Sequence, residues 1–214
     1  MKRFWFFDLD GTLADTDADI RLAWKAAIAD MGLSCPVFDE RFVAGPPIEE
    51  MAQSLFPGVC TDALVLGLRE AFGRRYDESG FPSTREYPGV VDRVRAIRAD
   101  GARVFIVTNK RYAGAKAMAA KFGWTDLFEG LYAGDMHKDD PAIGKMRKPE
   151  LLARVMREVG AEPGQSALVG DTRSDFEAAR ANGVESVGVA WGYGTPEELA
   201  EADRLARKPE EIRA

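Results

Sequence analysis

The stretch Phe4-Trp5-Phe6-Phe7-Asp8-Leu9-Asp10-Gly11-Thr12-Leu13 constrains this chain more than any other. Four consecutive aromatics read as a strand buried in a core. The run then meets two carboxylates two residues apart, followed by Gly-Thr. Burying the strand makes its end rigid, and the aspartates sit where that rigid end opens. Two carboxylates so close repel each other unless a cation lies between them or one holds a proton. A hard divalent ion such as Mg2+ resolves the repulsion, because it prefers oxygen ligands.

Further apolar runs predict strands over Arg103–Thr108, Ser166–Asp171 and Ser186–Ala190, beside Arg3–Asp8, with a weaker one over Phe128–Ala133. Helical patterns lie between them. Val90, Val94 and Ile97 recur at helical spacing up to Gly101, and Leu151, Leu152, Val155, Met156 and Val159 form a second stripe ending at Gly160. Thr195-Pro196-Glu197-Glu198 carries a cap, a first-turn proline and a capping-box glutamate. The alternation predicts an α/β fold, a Rossmann-like doubly wound parallel sheet with helices on both faces.

One region breaks the alternation. Between Asp15 and Tyr87 the apolar residues fall on three helical faces: Ile20, Trp24, Ala27, Ile28 and Met31; Ile48, Met51, Ala52 and Leu55; Leu64, Leu68, Ala71 and Phe72. This predicts a core of residues 1–14 and 88–214 with an inserted helical domain over 15–87. The expected hinges are Ala14–Asp17 and Ser83–Pro88.

Three strands end in polar residues, and in an open parallel sheet such ends line one crevice. The first gives Asp8 and Asp10, with Gly11 for an unusual turn and the Thr12 hydroxyl to fix the loop. The second gives Thr108, Asn109 and Lys110, donors suited to a phosphate oxygen. The third gives Gly170-Asp171-Thr172-Arg173-Ser174-Asp175. At that spacing Asp171 and Asp175 could serve one metal, directly or through water, while capping by Ser174 and Asp175 is the structural alternative.

The order D-x-D-G-T, strand-end T, K, then G-D-x-x-x-D resembles the haloacid dehalogenase-like superfamily of phosphohydrolases, over essentially the whole chain. The inserted helices resemble the cap of its phosphoglycolate-phosphatase-like subgroup, as do "AGPPIEEM", "YPGV" and "VAWGYGTPEEL"; that subgroup includes members described as 5'-nucleotidases. The resemblance implies Asp8 as nucleophile and Asp10 as acid and base. It implies Mg2+ held by Asp8, the Asp10 backbone carbonyl and Asp171, with Asp175 helping. Thr12 is expected among the substrate-binding residues, and Thr108 and Asn109 would bind the phosphoryl group. A lysine would neutralise it, and Lys148 in Lys148-Pro149-Glu150-Leu151-Leu152 fits the family pattern better than Lys145. Lys145, Lys138 and Lys110 are expected to be surface lysines. Within the cap, Arg41, Gly45, Pro46 and Pro47 are expected nearest the site, with Arg41 and Pro46 choosing the leaving group.

These residues imply a Mg2+-dependent phosphatase of a small phosphorylated metabolite, 2-phosphoglycolate-like or a nucleoside 5'-monophosphate. Asp10 argues against a dehalogenase, and no cap lysine suggests a phosphonatase. A phosphomutase shares every motif, and a non-catalytic phospho-ligand binder would not need an intact set. The single histidine, His137, cannot build a zinc site or a Ser-His triad. A net charge of −6 argues against a nucleic-acid surface. No stretch approaches the ~20 apolar residues of a spanning helix, and Asp8 interrupts the signal-like start. Cys35 and Cys60 read as reduced thiols of a cytoplasmic protein. Oligomeric state stays open.

Overall fold

A computed structural model describes residues 2–137, 139–140 and 144–213. The chain folds as two compact units, one of Met1–Asp15 with Glu86–Ala214, the other of Thr16–Arg85.

Strand β1 (Phe4–Phe7) is the aromatic run. A short strand β2 (Ala14–Asp15) leads out of the first unit, and β3 (Arg85–Glu86) leads back. The second unit is helical: α1 (Asp17–Asp30), α2 (Phe38–Arg41), α3 (Ile48–Leu55) and α4 (Asp62–Asp77). Three of these carry the expected stripes, and α2 is a single extra turn. The core of this unit is aromatic. Trp24 meets Phe42 and Phe72, Phe38 stacks on Phe42, and Phe72 stacks on Tyr76.

The first unit continues with α5 (Val90–Ala99), β4 (Arg103–Thr108), α6 (Tyr112–Lys121), β5 (Gly130–Ala133), α7 (Lys148–Val159), β6 (Ser166–Gly170), α8 (Arg173–Ala181), β7 (Glu185–Val189), α9 (Pro196–Leu199) and β8 (Arg204–Ala206). Six strands form one sheet in the order β5-β4-β1-β6-β7-β8, and every pair is parallel. The expected doubly wound α/β fold is therefore present. Within this sheet β8 escaped the sequence pattern, as did the two-residue strands β2 and β3 outside it: so few residues carry no readable period.

The aromatic run is explained by burial on both faces of the central strand. Phe4 and Phe6 join Phe105, Val107 and Leu168 against Leu151, Leu152 and Val155 of α7. Trp5 and Phe7 point the other way, and Phe7 meets Phe128 edge-on. Register then levels the strand ends. Phe7 pairs with Ile106 on one side and Val169 on the other. The residues that follow, Asp8, Val107 and Gly170, lie side by side at the carboxyl edge. The chain winds outward from β1 through β4 to β5, then returns to β1's other side at β6, so the order reverses at β1. That reversal is where open α/β sheets bind ligands.

In the helical unit, buried Asp19 closes the two chain ends onto each other. Its carboxylate accepts the Ser83 N–H at 3.1 Å, and the Thr84 N–H and hydroxyl at 2.7 Å each. Replacing it with alanine strands the buried Thr84 donors and the part-buried Ser83 N–H. Asp19→Ala is expected to destabilise the protein by about 2–4 kcal/mol in urea denaturation, and Asp19→Asn by less. A change under about 0.5 kcal/mol would mean that this closure contributes little.

Candidate active site

The carboxyl edge of the sheet gathers buried charge. Lys148, the first residue of α7, is 2% exposed. Its ammonium lies 2.9 Å from Asp8 Oδ1 and donates to Asp175 Oδ1 at 2.5 Å. Sequence spacing puts it there: the α7 stripe packs on the Phe4–Phe6 face of β1, so the helix start overhangs the strand end. The Arg147 N–H donates to Glu150 Oε2 at 2.7 Å and fixes that start. Lys145 is exposed, and Lys138 lies outside the described residues.

Asp175 serves two ends at once. Its Oδ1 takes the Lys148 ammonium, while Oδ2 accepts the Thr172 N–H and hydroxyl at 3.1 Å each and so caps α8. Thr172 is the N-cap and Asp175 the capping-box residue, so of the alternative capping role considered for Ser174 and Asp175 only the Asp175 half is present. Ser174 Oγ instead accepts a hydrogen bond from Asn109 Nδ2 at 2.8 Å, which orients the Asn109 amide. Thr108 Oγ1, at the end of β4, accepts the Lys110 N–H at 3.2 Å and keeps its own proton to donate.

Asp171 is wholly buried and held by both oxygens. Thr12 donates to Oδ1 at 3.1 Å, and the Tyr193 N–H donates to Oδ2 at 2.7 Å. The Trp191 indole N–H donates to the Thr12 carbonyl at 3.1 Å, and the Tyr193 hydroxyl donates to Asp15 Oδ1 at 3.1 Å. The loop after β7 thus reaches across β6 to the end of β1. Its approach excludes side chains. A Cβ on Gly192 would stand 2.4 Å from both Asp171 Oδ2 and the Gly11 carbonyl. A Cβ on Gly11 would stand 2.1 Å from Asp171 Oδ2, and φ of +75° disfavours any other residue there. The sequence reading gave this loop no role; its signal was the spacing of Gly192 and Gly194 around an aromatic.

Lys110 corrects an expectation. Read as a surface lysine, it has a side chain only 4% exposed, and its ammonium lies 2.8 Å from Asp10 Oδ1 and 3.2 Å from Oδ2. The expectation failed because a lysine beyond a strand end looks the same in sequence whether it meets water or a carboxylate 100 residues away.

Arg41 and Pro46 belong to the helical unit. The exposed Arg41 guanidinium donates to the Ser54 carbonyl at 3.0 Å, and Pro46 lies exposed ahead of α3.

The charges do not balance. Burial pushes the Asp8 carboxyl up to about 6; Lys148 opposes this, and Asp175 and Asp10 add to it. Burial, then Asp175 and Asp8, hold the Asp171 carboxyl well above the usual range, against the Tyr193 N–H and Thr12. Burial alone would lower Lys148, but Asp175 and then Asp8 outweigh it and keep it charged. Among the described residues, four carboxylates (Asp8, Asp10, Asp171 and Asp175) meet two ammonium groups (Lys110 and Lys148), leaving two negative charges uncompensated. Asp8, Asp171 and Asp175 each offer an oxygen within 4.8 Å of one another. Asp8 Oδ1, although close to Lys148, makes no hydrogen bond of acceptable geometry. Buried oxygens, an orphaned acceptor and a double negative charge fit a hard divalent cation.

The family model described as haloacid dehalogenase-like hydrolase matches residues 5–189. The "Probable phosphatase IndB" of Dickeya dadantii is 30% identical over 95% of this chain and 87% of its own length. A phosphoglycolate phosphatase of Pseudomonas putida is 33% identical over 90% of this chain and 71% of its own. Among solved structures, a haloacid dehalogenase-like family hydrolase of Streptococcus pneumoniae superposes with a TM-score of 0.83 over 99% of this chain and 96% of its own, at 23% identity.

Two outcomes follow. In the metal-free protein Asp8 binds its proton more tightly folded than unfolded, so its contribution to stability is complete below about pH 4 and lost as pH rises through about 6. Thermal melts in chelator should fall across that window by several degrees relative to Asp8→Asn, and a divalent cation should recover the loss above it. A pH-independent difference between the two proteins would contradict this. Gly192→Ala should displace Asp171 and lower kcat/KM by about 10–100-fold in a folded protein, since ångström-scale misplacement costs about that much. Unchanged kinetics would show that the loop yields without disturbing Asp171.

Proposed function

This chain belongs to the haloacid dehalogenase-like hydrolases, among their phosphatases, and we propose that it hydrolyses a small phosphate monoester through an aspartyl-phosphate on Asp8. The observation that carries the reading is Asp8 itself, buried at the end of the central strand beside Lys148, with an oxygen that no hydrogen bond occupies. A nucleophilic oxygen needs a free lone pair and a cation at hand to offset the charge of an incoming phosphate.

In the first half-reaction an Asp8 oxygen attacks phosphorus and the bond to the leaving oxygen breaks. Asp10 gives that oxygen a proton. Thr108, Asn109 and Lys148 hold the phosphoryl oxygens. In the second half a water attacks the aspartyl-phosphate, Asp10 takes its proton, and the Asp8 carboxylate is released with inorganic phosphate. Asp8, Asp171 and the Asp10 carbonyl would hold Mg2+, with Asp175 behind them; when bound, it screens the repulsion between two reacting anions.

The helical unit serves as a cap that selects the leaving group, with Arg41 and Pro46 among the selecting residues. The similarity to phosphoglycolate phosphatases supports a phosphoglycolate-like acid, with nucleoside 5'-monophosphates as the second class. The unpaired cysteines Cys35 and Cys60, and the lack among described residues of a helix able to cross a membrane, support work in the cytoplasm.

The test is phosphate release from a panel of phosphorylated acids, sugars and nucleotides, with Mg2+ and with chelator. Asp8→Ala, shown folded by circular dichroism, should lose at least about 10⁴-fold on every substrate. Near-native turnover by that variant, or full activity in chelator, would overturn the mechanism. Isomerisation of a sugar phosphate without phosphate release would identify a phosphomutase.

A further inference from the structure

We propose that Lys110 is a positioning residue, holding the Asp10 carboxylate in place to accept a proton from water in the second half-reaction. The proposal rests on the reading of Asp8 as nucleophile and Asp10 as proton-transfer group. Its footing is geometric. The ammonium spans both oxygens of Asp10, at 2.8 and 3.2 Å, and the lysine side chain is almost fully buried.

The anchorage of Lys110 is local and stiff. Its backbone N–H bonds to Thr108 Oγ1 at the end of β4. Two residues on, the Tyr112 N–H donates to Asp135 Oδ1 at 2.7 Å, which fixes the start of α6 from the end of β5. The ammonium is therefore delivered from a rigid edge of the sheet to a carboxylate in the loop that follows the adjacent strand β1. Charge-assisted contact to both oxygens restrains the rotation of a carboxylate. It still leaves two of about four acceptor positions open.

The two halves of the reaction ask opposite things of Asp10. In the first it must carry a proton, and the ammonium contact has to loosen at one oxygen. In the second it must be an oriented, charged acceptor, which is the arrangement Lys110 favours. There the water oxygen bonds to phosphorus, and the water proton passes to Asp10. The bond from phosphorus to Asp8 breaks, its electron pair returns to the Asp8 carboxylate, and inorganic phosphate leaves. Lys148 cannot substitute for Lys110, because it is committed to Asp8 and Asp175.

The two half-reactions separate with p-nitrophenyl phosphate, whose leaving group departs without needing a proton. Stopped-flow with Mg2+ would be run on wild type, Asp10→Asn, Lys110→Met and Lys110→Arg. Asp10→Asn should release one equivalent of nitrophenolate per enzyme in a burst and then stall. Lys110→Met should show the same burst, accumulate phosphoenzyme, and turn over about 10–100-fold more slowly, the range for a displaced proton acceptor. Lys110→Arg should recover most of that loss, because a guanidinium also donates to both oxygens of a carboxylate. Should Lys110→Met fail to fold, Lys110→Gln gives the same readout. A lysine variant whose burst and steady state fall together without phosphoenzyme, or which matches wild type, would overturn the proposal and leave the Asp10 reading intact. An Asp10→Asn enzyme with no burst would overturn both.

Discussion

A lysine ammonium enclosed between Asp8 and Asp175 is the contact on which the rest of this structure turns. Removing a charge from water is costly, and a buried ion pair recovers that cost only with close geometry and saturated hydrogen bonds. Here geometry comes from packing. Leu151, Leu152 and Val155 seat α7 on the central sheet and hold Lys148 over the end of β1. Asp175 meets it because Thr172 fixes the same carboxylate to the start of α8. One side chain therefore ties β1, α7 and α8 together at the carboxyl edge, and a change in any of the three reaches the other two.

That contact leaves the site anionic. One ammonium faces three carboxylates, so Asp8 and Asp171 are both driven toward protonation in the absence of another cation. Among the described residues, no lysine is paired with Asp171. The fold surrounds that residue with two neutral donors and with glycines that allow no side chain near it. Neutral donors orient a carboxylate without neutralising it, so Asp171 keeps the charge that a cation would offset. The second lysine, Lys110, is spent on Asp10 and does nothing for the deficit around Asp171.

The sheet explains why such unlike devices converge. Parallel strands in register bring Asp8, Asn109 and Asp171 to one edge although they are far apart along the chain. Reversal of the winding at β1 opens a crevice there. The helical unit is built separately, around an aromatic core and a buried aspartate that closes its two ends.

Much of this was legible in the sequence. Buried strands announce themselves by apolar runs, and the aspartates at their ends gave the family, the α/β fold and the phosphatase class, because strand burial and strand-end chemistry are encoded within a few neighbouring residues. What the residues could not encode locally, tertiary structure decided. Lys110 and Lys145 look alike in the sequence, and only the register of β4 beside β1 turns one of them onto Asp10. Asp175 reads as a cap or as a member of an acidic cluster, and its two oxygens do both only because α7 brings Lys148 to one of them. The Trp191–Gly194 loop acquired its purpose only once β6 and β7 lay side by side and put Asp171 within its reach. Pattern fixes which residues are buried and which end a strand; the pairing of charges depends on distances across the sheet, and those exist only after it has formed.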